Sequence, residues 1–207
     1  PAQKRRMLEH LTRDGELWTR YGLTAIARNA PYYRNLGYWN GKVWVPYQWV
    51  FWKALLTEGE PGHAERIART ALELWRRETD ASYNAWELFD ARTGMGQGAH
   101  QFGGLSGPIA ALYHAHYTPG RLNVGLETVV HTHAYQSGAR PALFAELSTP
   151  FRRGRTGLVA ALGSSGVYRV SCGDAVWEQT ARESWLYVEV TLDESPRRLT
   201  IERLGDS

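Results

Sequence analysis

The sequence has little of what staples a protein or directs it elsewhere. Its lone cysteine, Cys172, excludes an internal disulfide and a structural zinc site built from thiolates. There is no Asn-x-Ser/Thr sequon, no apolar run long enough for a membrane span and no signal peptide. A cytoplasmic protein without membrane contact is therefore expected. The chain begins with Pro1 rather than Met, as at a processing site or a boundary, so a targeting segment further upstream would be invisible. A concentrated basic face is also missing: the net charge is only +3 and the basic residues are scattered, which argues against nucleic-acid binding despite a pI near 9.1. The one basic run, Phe151-Arg152-Arg153-Gly154-Arg155, is short and reads as a solvated turn.

What is present is aromatic. Nine Trp and eleven Tyr in 207 residues are many, and a core needs only part of them. At 43% hydrophobic and 22% charged the chain is otherwise an ordinary globular one, long enough for one good core or two small domains. The stretch Tyr83–Phe102 sets a carboxylate, Glu87, between Trp86 and Phe89 and then turns through Gly94, Gly96 and Gly98. A pyranose offers apolar faces to aromatic rings, and cleavage of its acetal needs a carboxylate beside the anomeric carbon. A single loop glutamate is by default a surface residue, but these neighbours mark Glu87 as the candidate catalytic carboxylate. Trp86 is a candidate ring contact, and His100, among the glycines, is a candidate hydroxyl-binding group. Asp90 reads as a turn former, too near Glu87 in sequence to serve the opposite face of a sugar.

Residues 2–12 read as a short helix and 13–42 as a long connection, a length that is usually functional. Residues 43–57 are apolar nearly all round and predict an inner helix, with Pro46 tolerable in its first turn. Residues 61–79 predict an outer, amphipathic helix: Pro61 opens it, Ile67, Ala71, Leu74 and Trp75 share one face, and charges fill the other. Residues 105–117 again read as inner. Such an alternation brings the loops before 43 and 105 to one end. From about residue 119 short strands are expected at 126–131, 158–161, 167–170, 185–190 and 199–202, separated by Gly, Ser, Pro and Asp turns. The fold class expected is thus mainly α with a C-terminal β module: helical hairpins over 1–118, then an antiparallel β-sandwich-like domain over 119–207.

The run Gly37-Tyr38-Trp39-Asn40-Gly41-Lys42-Val43-Trp44, followed about forty residues later by Asn84-Ala85-Trp86-Glu87, Gly94-Met95-Gly96 and Phe102, resembles the second half of glycoside hydrolase family 63. That family includes processing α-glucosidases and bacterial mannosylglycerate or glucosylglycerate hydrolases. The resemblance covers roughly residues 14–115 and implies the C-terminal portion of an (α/α)6 toroid. It implies that Glu87 is the general base of an inverting glycosidase and that Tyr38, Trp39, Gly41, Trp44 and Phe102 belong to the substrate pocket. Asn40 stands there where the family often has Arg, and Phe102-Gly103-Gly104-Leu105-Ser106 lacks the Trp usual after the phenylalanine. Inversion requires a second carboxyl group as acid, about 6.5–9.5 Å from the base. The family takes it from an Asp earlier in the barrel, and no counterpart is found in this sequence.

Six hairpins cannot be made from about four helices. The chain is then either the C-terminal piece of a longer enzyme, its barrel completed by a missing N-terminal half or a second chain, or a relic that keeps a carbohydrate-binding or assembly role without turnover. A purely structural helical module is a weaker reading. No cofactor is needed, since acid, base and positioning suffice for the chemistry. His114 with His116 and His131 with His133 lack an intervening carboxylate, so no metal is expected.

Overall fold

Proline placement and apolar periodicity set the two longest helices. The structure, a computed structural model, describes residues 2–151 and 153–205; Arg152 of the basic run lies outside them. Helix α1 is Ala2–Thr12, followed by a two-residue hairpin of β1 (Trp18–Thr19) and β2 (Gly22–Leu23). Then come α2 (Val45–Thr57), with Pro46 in its first turn, and α3 (Pro61–Ser82), opened by Pro61 where the missing N–H costs nothing. Ala64, Ile67, Ala68, Ala71 and Leu74 of α3 are buried, while Arg76 pairs with Glu73 and Asp80 on its outer face. A second small hairpin, β3 (Leu88–Phe89) with β4 (Gly96–Gln97), precedes the single turn α4 (Gly103–Ser106) and α5 (Pro108–Tyr117).

The rest is antiparallel sheet: β5 (Leu122–Val124), β6 (Val129–Gln136), β7 (Ala142–Ser148), β8 (Gly154–Ala161), β9 (Gly166–Cys172), β10 (Ala175–Ala181), β11 (Trp185–Leu192) and β12 (Arg197–Arg203). They form a five-stranded sheet in the order β10-β9-β12-β7-β6 and a three-stranded sheet in the order β11-β8-β5. Leu143 and Leu147 of β7, Leu158 of β8, Tyr168 and Val170 of β9, Val188 of β11 and Leu199 and Ile201 of β12 share one apolar cluster, so both sheets contribute to a common core.

The chain divides into two compact units. One holds the residues up to Trp52 together with Glu65–Leu112; the other holds Lys53–Ala64 together with the residues from Tyr113 onward. Within the second, the Leu56 carbonyl accepts from Thr156 Oγ1 at 3.3 Å, and the Thr57 hydroxyl accepts from the Leu126 N–H at 2.7 Å. Among the described residues no helix is long and apolar enough to cross a membrane.

The expectation of a mainly α chain is overturned. About 29% of the chain is helix and 33% strand. Two-residue hairpins also stand between α1 and α2 and between α3 and α4. Two physical reasons account for the difference. The connections 13–42 and 83–104 pair their backbones locally, which apolar periodicity does not reveal. Strand β7, Ala-Leu-Phe-Ala-Glu-Leu-Ser, is written largely in helix formers, and its conformation follows from pairing with β6 on one side and β12 on the other.

Candidate active site

One short backbone contact brings the two aromatic loops together within the first unit. Val43 and Phe89 exchange both hydrogen bonds, Val43 N–H to the Phe89 carbonyl at 3.0 Å and Phe89 N–H to the Val43 carbonyl at 2.9 Å. Both side chains are fully buried, so the register is held by apolar anchors as well as by the ladder. Residues 37–44 thereby lie beside residues 86–90.

Glu87 is 7% exposed, and each of its carboxylate oxygens has a donor. The Tyr38 hydroxyl donates to Oε1, and the Ala99 N–H donates to Oε2 at 2.9 Å. The Glu87 N–H in turn reaches the Ala99 carbonyl at 3.2 Å, so the glutamate and the returning chain are tied twice. Gly98 makes this approach possible. Its φ of +80° suits glycine, and a Cβ there would stand 2.5 Å from Glu87 Oε2. The hydrogen bond to Glu87, with some burial, pushes the Tyr38 phenol above its ordinary pKa, so it remains a proton donor to the carboxylate.

The aromatic rings are layered. Trp39 stacks on Trp44 with centroids 4.0 Å apart and planes 4° from parallel. Trp44 is 1% exposed and donates its indole N–H to the Tyr38 carbonyl at 3.2 Å, whereas Trp39 is 54% exposed. Tyr38 meets both indoles edge-on, with centroids 5.4 Å from Trp39 and 5.0 Å from Trp44. Trp44 is thus the backing of the stack, and Trp39 is its outer layer.

Asn40 and Gly41 shape this loop. Asn40 donates from its amide to the Tyr32 carbonyl at 2.8 Å, and its own carbonyl accepts from the Arg34 N–H at 2.9 Å. A Cβ on Gly41 would fall 1.7 Å from the Arg34 carbonyl oxygen, which no side chain could tolerate. Trp86 and His100 pair edge-to-face at 4.7 Å, the Trp86 indole N–H reaches Ser82 Oγ at 3.2 Å, and Gly96 leaves room for the ring. Phe102, partly exposed, is tied through its N–H to the Ala85 carbonyl at 2.8 Å. The structure therefore gathers Tyr38, Trp39, Trp44 and Glu87 into one cluster, pairs Trp86 with His100, and uses Asn40 and Gly41 to form the loop that carries the cluster.

Sequence reasoning missed Lys42, Gly98 as a steric requirement, and the Ala99 N–H. Lys42 is 4% exposed and Asp90 3%, and they form a buried ion pair at 3.1 Å. Asp90 Oδ1 also accepts from the Arg92 and Thr93 N–H groups at 2.9 and 3.0 Å, the bonds of an Asx turn. Burial alone would raise the Asp90 carboxyl, but those two N–H groups and the Lys42 ammonium outweigh it and hold the pKa at about 2. A lysine in a glycine-flanked loop carries no sign that it is buried, so only the Asp-x-x-x-Gly turn signal was available. Three histidines of the two pairs meet hydroxyls: His114 that of Thr118 at 2.9 Å, His116 that of Tyr187 at 2.8 Å and His131 that of Ser148 at 2.9 Å. Among the described residues no group of three His, Cys, Asp or Glu is placed to hold a metal ion.

Residues 1–103 match the family model of the mannosylglycerate hydrolase MGH1-like glycoside hydrolase domain. A mannosylglycerate hydrolase of Thermus thermophilus is 30% identical over 105 residues, which are 49% of this chain and 24% of that protein. A probable mannosyl-oligosaccharide glucosidase of Schizosaccharomyces pombe is 28% identical over 124 residues, 54% of this chain and 15% of that one. A crystal structure of the family 63 mannosylglycerate hydrolase from a second strain of Thermus thermophilus, in complex with glucose, overlaps with a TM-score of 0.47 at 26% identity, covering 54% of this chain and 27% of that one. The chain thus spans no more than 24% of the length of these two curated relatives. By the match of residues 1–103 and by the curated relatives, the chain belongs to glycoside hydrolase family 63.

Proposed function

We propose that this chain takes part in the inverting hydrolysis of α-glycosidic bonds, with Glu87 as the general base. In that step a water oxygen bonds to the anomeric carbon, Glu87 takes the water's proton, and the bond to the leaving oxygen breaks as an acid protonates it. The observation that carries the reading is the Glu87 carboxylate itself. It is buried beside a tryptophan stack, and two donors orient it while each oxygen keeps a further lone pair for water.

The acid comes from outside this chain, from a preceding part of a longer protein or from a partner that completes the site. Asp90 is unsuited to the role, since a group with a pKa of about 2 that is bonded to Lys42 carries no proton to give at neutral pH. The substrate class is an α-mannoside or α-glucoside, including glycosylglycerates and short oligosaccharides, in keeping with the names of the relatives. Trp39 offers one indole face for stacking on the sugar, with Trp44 behind it.

The same exposed Trp39 favours one alternative, a carbohydrate-binding or assembly subunit without turnover. Sugar release from α-mannosides and α-glucosides, glycerate conjugates included, by the assembled enzyme in which this chain is joined to the part that supplies the acid, and by the same assembly carrying Glu87→Gln, separates the two. Turnover lost in Glu87→Gln with sugar binding kept is the expected result. Turnover that survives the substitution removes Glu87 from the mechanism, and binding without any turnover, abolished by Trp39→Ala, establishes the alternative.

A further inference from the structure

We infer that Lys42 and Asp90 are positioning residues for Glu87, a buried clamp that aligns both of the donors on its carboxylate; this rests on the reading of Glu87 as the base. The isolated antiparallel bridge of Val43 with Phe89 sets Lys42 on the side of Asp90 at one end, and Trp44 on the side of Leu88, next to Glu87, at the other. At the first end the ion pair closes the ladder at 3.1 Å. At the second, the Trp44 indole N–H holds the Tyr38 carbonyl, and the Tyr38 hydroxyl reaches Glu87. A ladder of one residue pair has little rigidity of its own, so what fixes its ends fixes the approach of phenol to carboxylate.

Asp90 divides its two oxygens between the two supports of Glu87. Its Oδ2 accepts from Lys42, in the segment that follows the Tyr38 loop. Its Oδ1 accepts from the Arg92 and Thr93 N–H groups and so forms the turn from which the chain returns through Gly98 to Ala99, the second donor to Glu87. One carboxylate thus connects the segment that carries the Tyr38 hydroxyl with the segment that carries the Ala99 N–H. Stability alone is a poor reason for such a pair, because the desolvation of two charges tends to cancel their attraction and a well-packed apolar pair would serve as well. Register is the better-attested use of a buried ion pair, and here the register decides the geometry of the base.

The test is spectroscopic and kinetic. In the full chain with ring-labelled tyrosine, the Cζ resonance of Tyr38, assigned through Tyr38→Phe, reports its hydrogen bond at neutral pH, and Glu87→Ala, which has no side-chain acceptor, sets the value for the broken bond. Lys42→Met is expected to move the resonance toward the Glu87→Ala value. Because it leaves the Asp90 charge buried and uncompensated, the double variant Lys42→Met/Asp90→Asn is measured beside it; that variant removes both charges while the Asn oxygen keeps the turn. In the assembly that supplies the acid, the displaced carboxylate should lower kcat by on the order of 10- to 100-fold with KM changed much less.

A folded Lys42→Met or double variant with the Tyr38 resonance and kcat of the unaltered chain overturns the clamp and leaves Glu87 as base untouched. No change of the Tyr38 resonance on Glu87→Ala overturns it too. Turnover indifferent to Glu87→Gln, with the resonance still displaced in Lys42→Met, sinks the base and keeps the clamp.

Discussion

The indole of Trp39 lies flat on that of Trp44, 4.0 Å away, with the outer ring 54% exposed and the inner one 1%. Two tryptophans five residues apart in one loop therefore do different work. Trp44, fully enclosed and bonded through its indole N–H, holds the Tyr38 backbone; Trp39 presents the ring face.

Replacing each by alanine should separate these roles. Trp44→Ala is expected to cost about 3–5 kcal/mol in urea unfolding, the usual range for a buried tryptophan. Trp39→Ala forfeits mainly the stacking, about 0.5–1.5 kcal/mol, and should instead weaken the binding of a sugar, read by fluorescence titration. Equal costs for the two variants would contradict the layering.

Gly98→Ala should impair the base without touching its side chain. The new Cβ meets Glu87 Oε2 at 2.5 Å and the backbone sits at φ +80°, where an L side chain is disfavoured by roughly 1–2 kcal/mol. Gly138→Ala is the control, since its φ is +127° but no atom lies within 4 Å of its Cβ position. Turnover and the Tyr38 resonance should change in the first variant alone, and a similar loss in both would reduce the effect to backbone strain.

Asp90 makes stability depend on pH at the acid end. Its carboxyl takes a proton at about 2 in the folded chain, against an ordinary value of 3.8. A depressed carboxylate adds stability that is fully present above the ordinary value and is lost as pH falls through the folded one, here between about pH 4 and pH 2. The stability at stake is about 2 kcal/mol. Urea unfolding of the unaltered chain and of Asp90→Asn across that window should show the difference between them shrink as the pH falls. A difference that stays constant would mean that the Asp90 charge is not what the folded state rewards.

Much of this was legible because it is local. Pro61 and the spacing of Ile67, Ala71 and Leu74 announce α3, and the all-round apolar run announces α2. Glu87 stands out because its neighbours are rings and glycines. The misread proportions of helix and strand have an equally local cause: β7 is rich in Ala, Leu and Glu, and nothing inside its seven residues says that two other strands will pair with it. The burial of Lys42 was hidden for the same reason, since its partner Asp90 lies forty-eight residues away.

Helix periodicity, turn chemistry and the supply of rings, glycines and one well-flanked carboxylate are all written in the amino-acid order, because each depends on residues close together in the chain. Which tryptophan is covered and which is open, which lysine is buried, and which donors reach Glu87 were settled only on folding. Those outcomes depend on the pairing of Val43 with Phe89, a long-range contact that brings its neighbours to hydrogen-bonding distance and that no local pattern encodes.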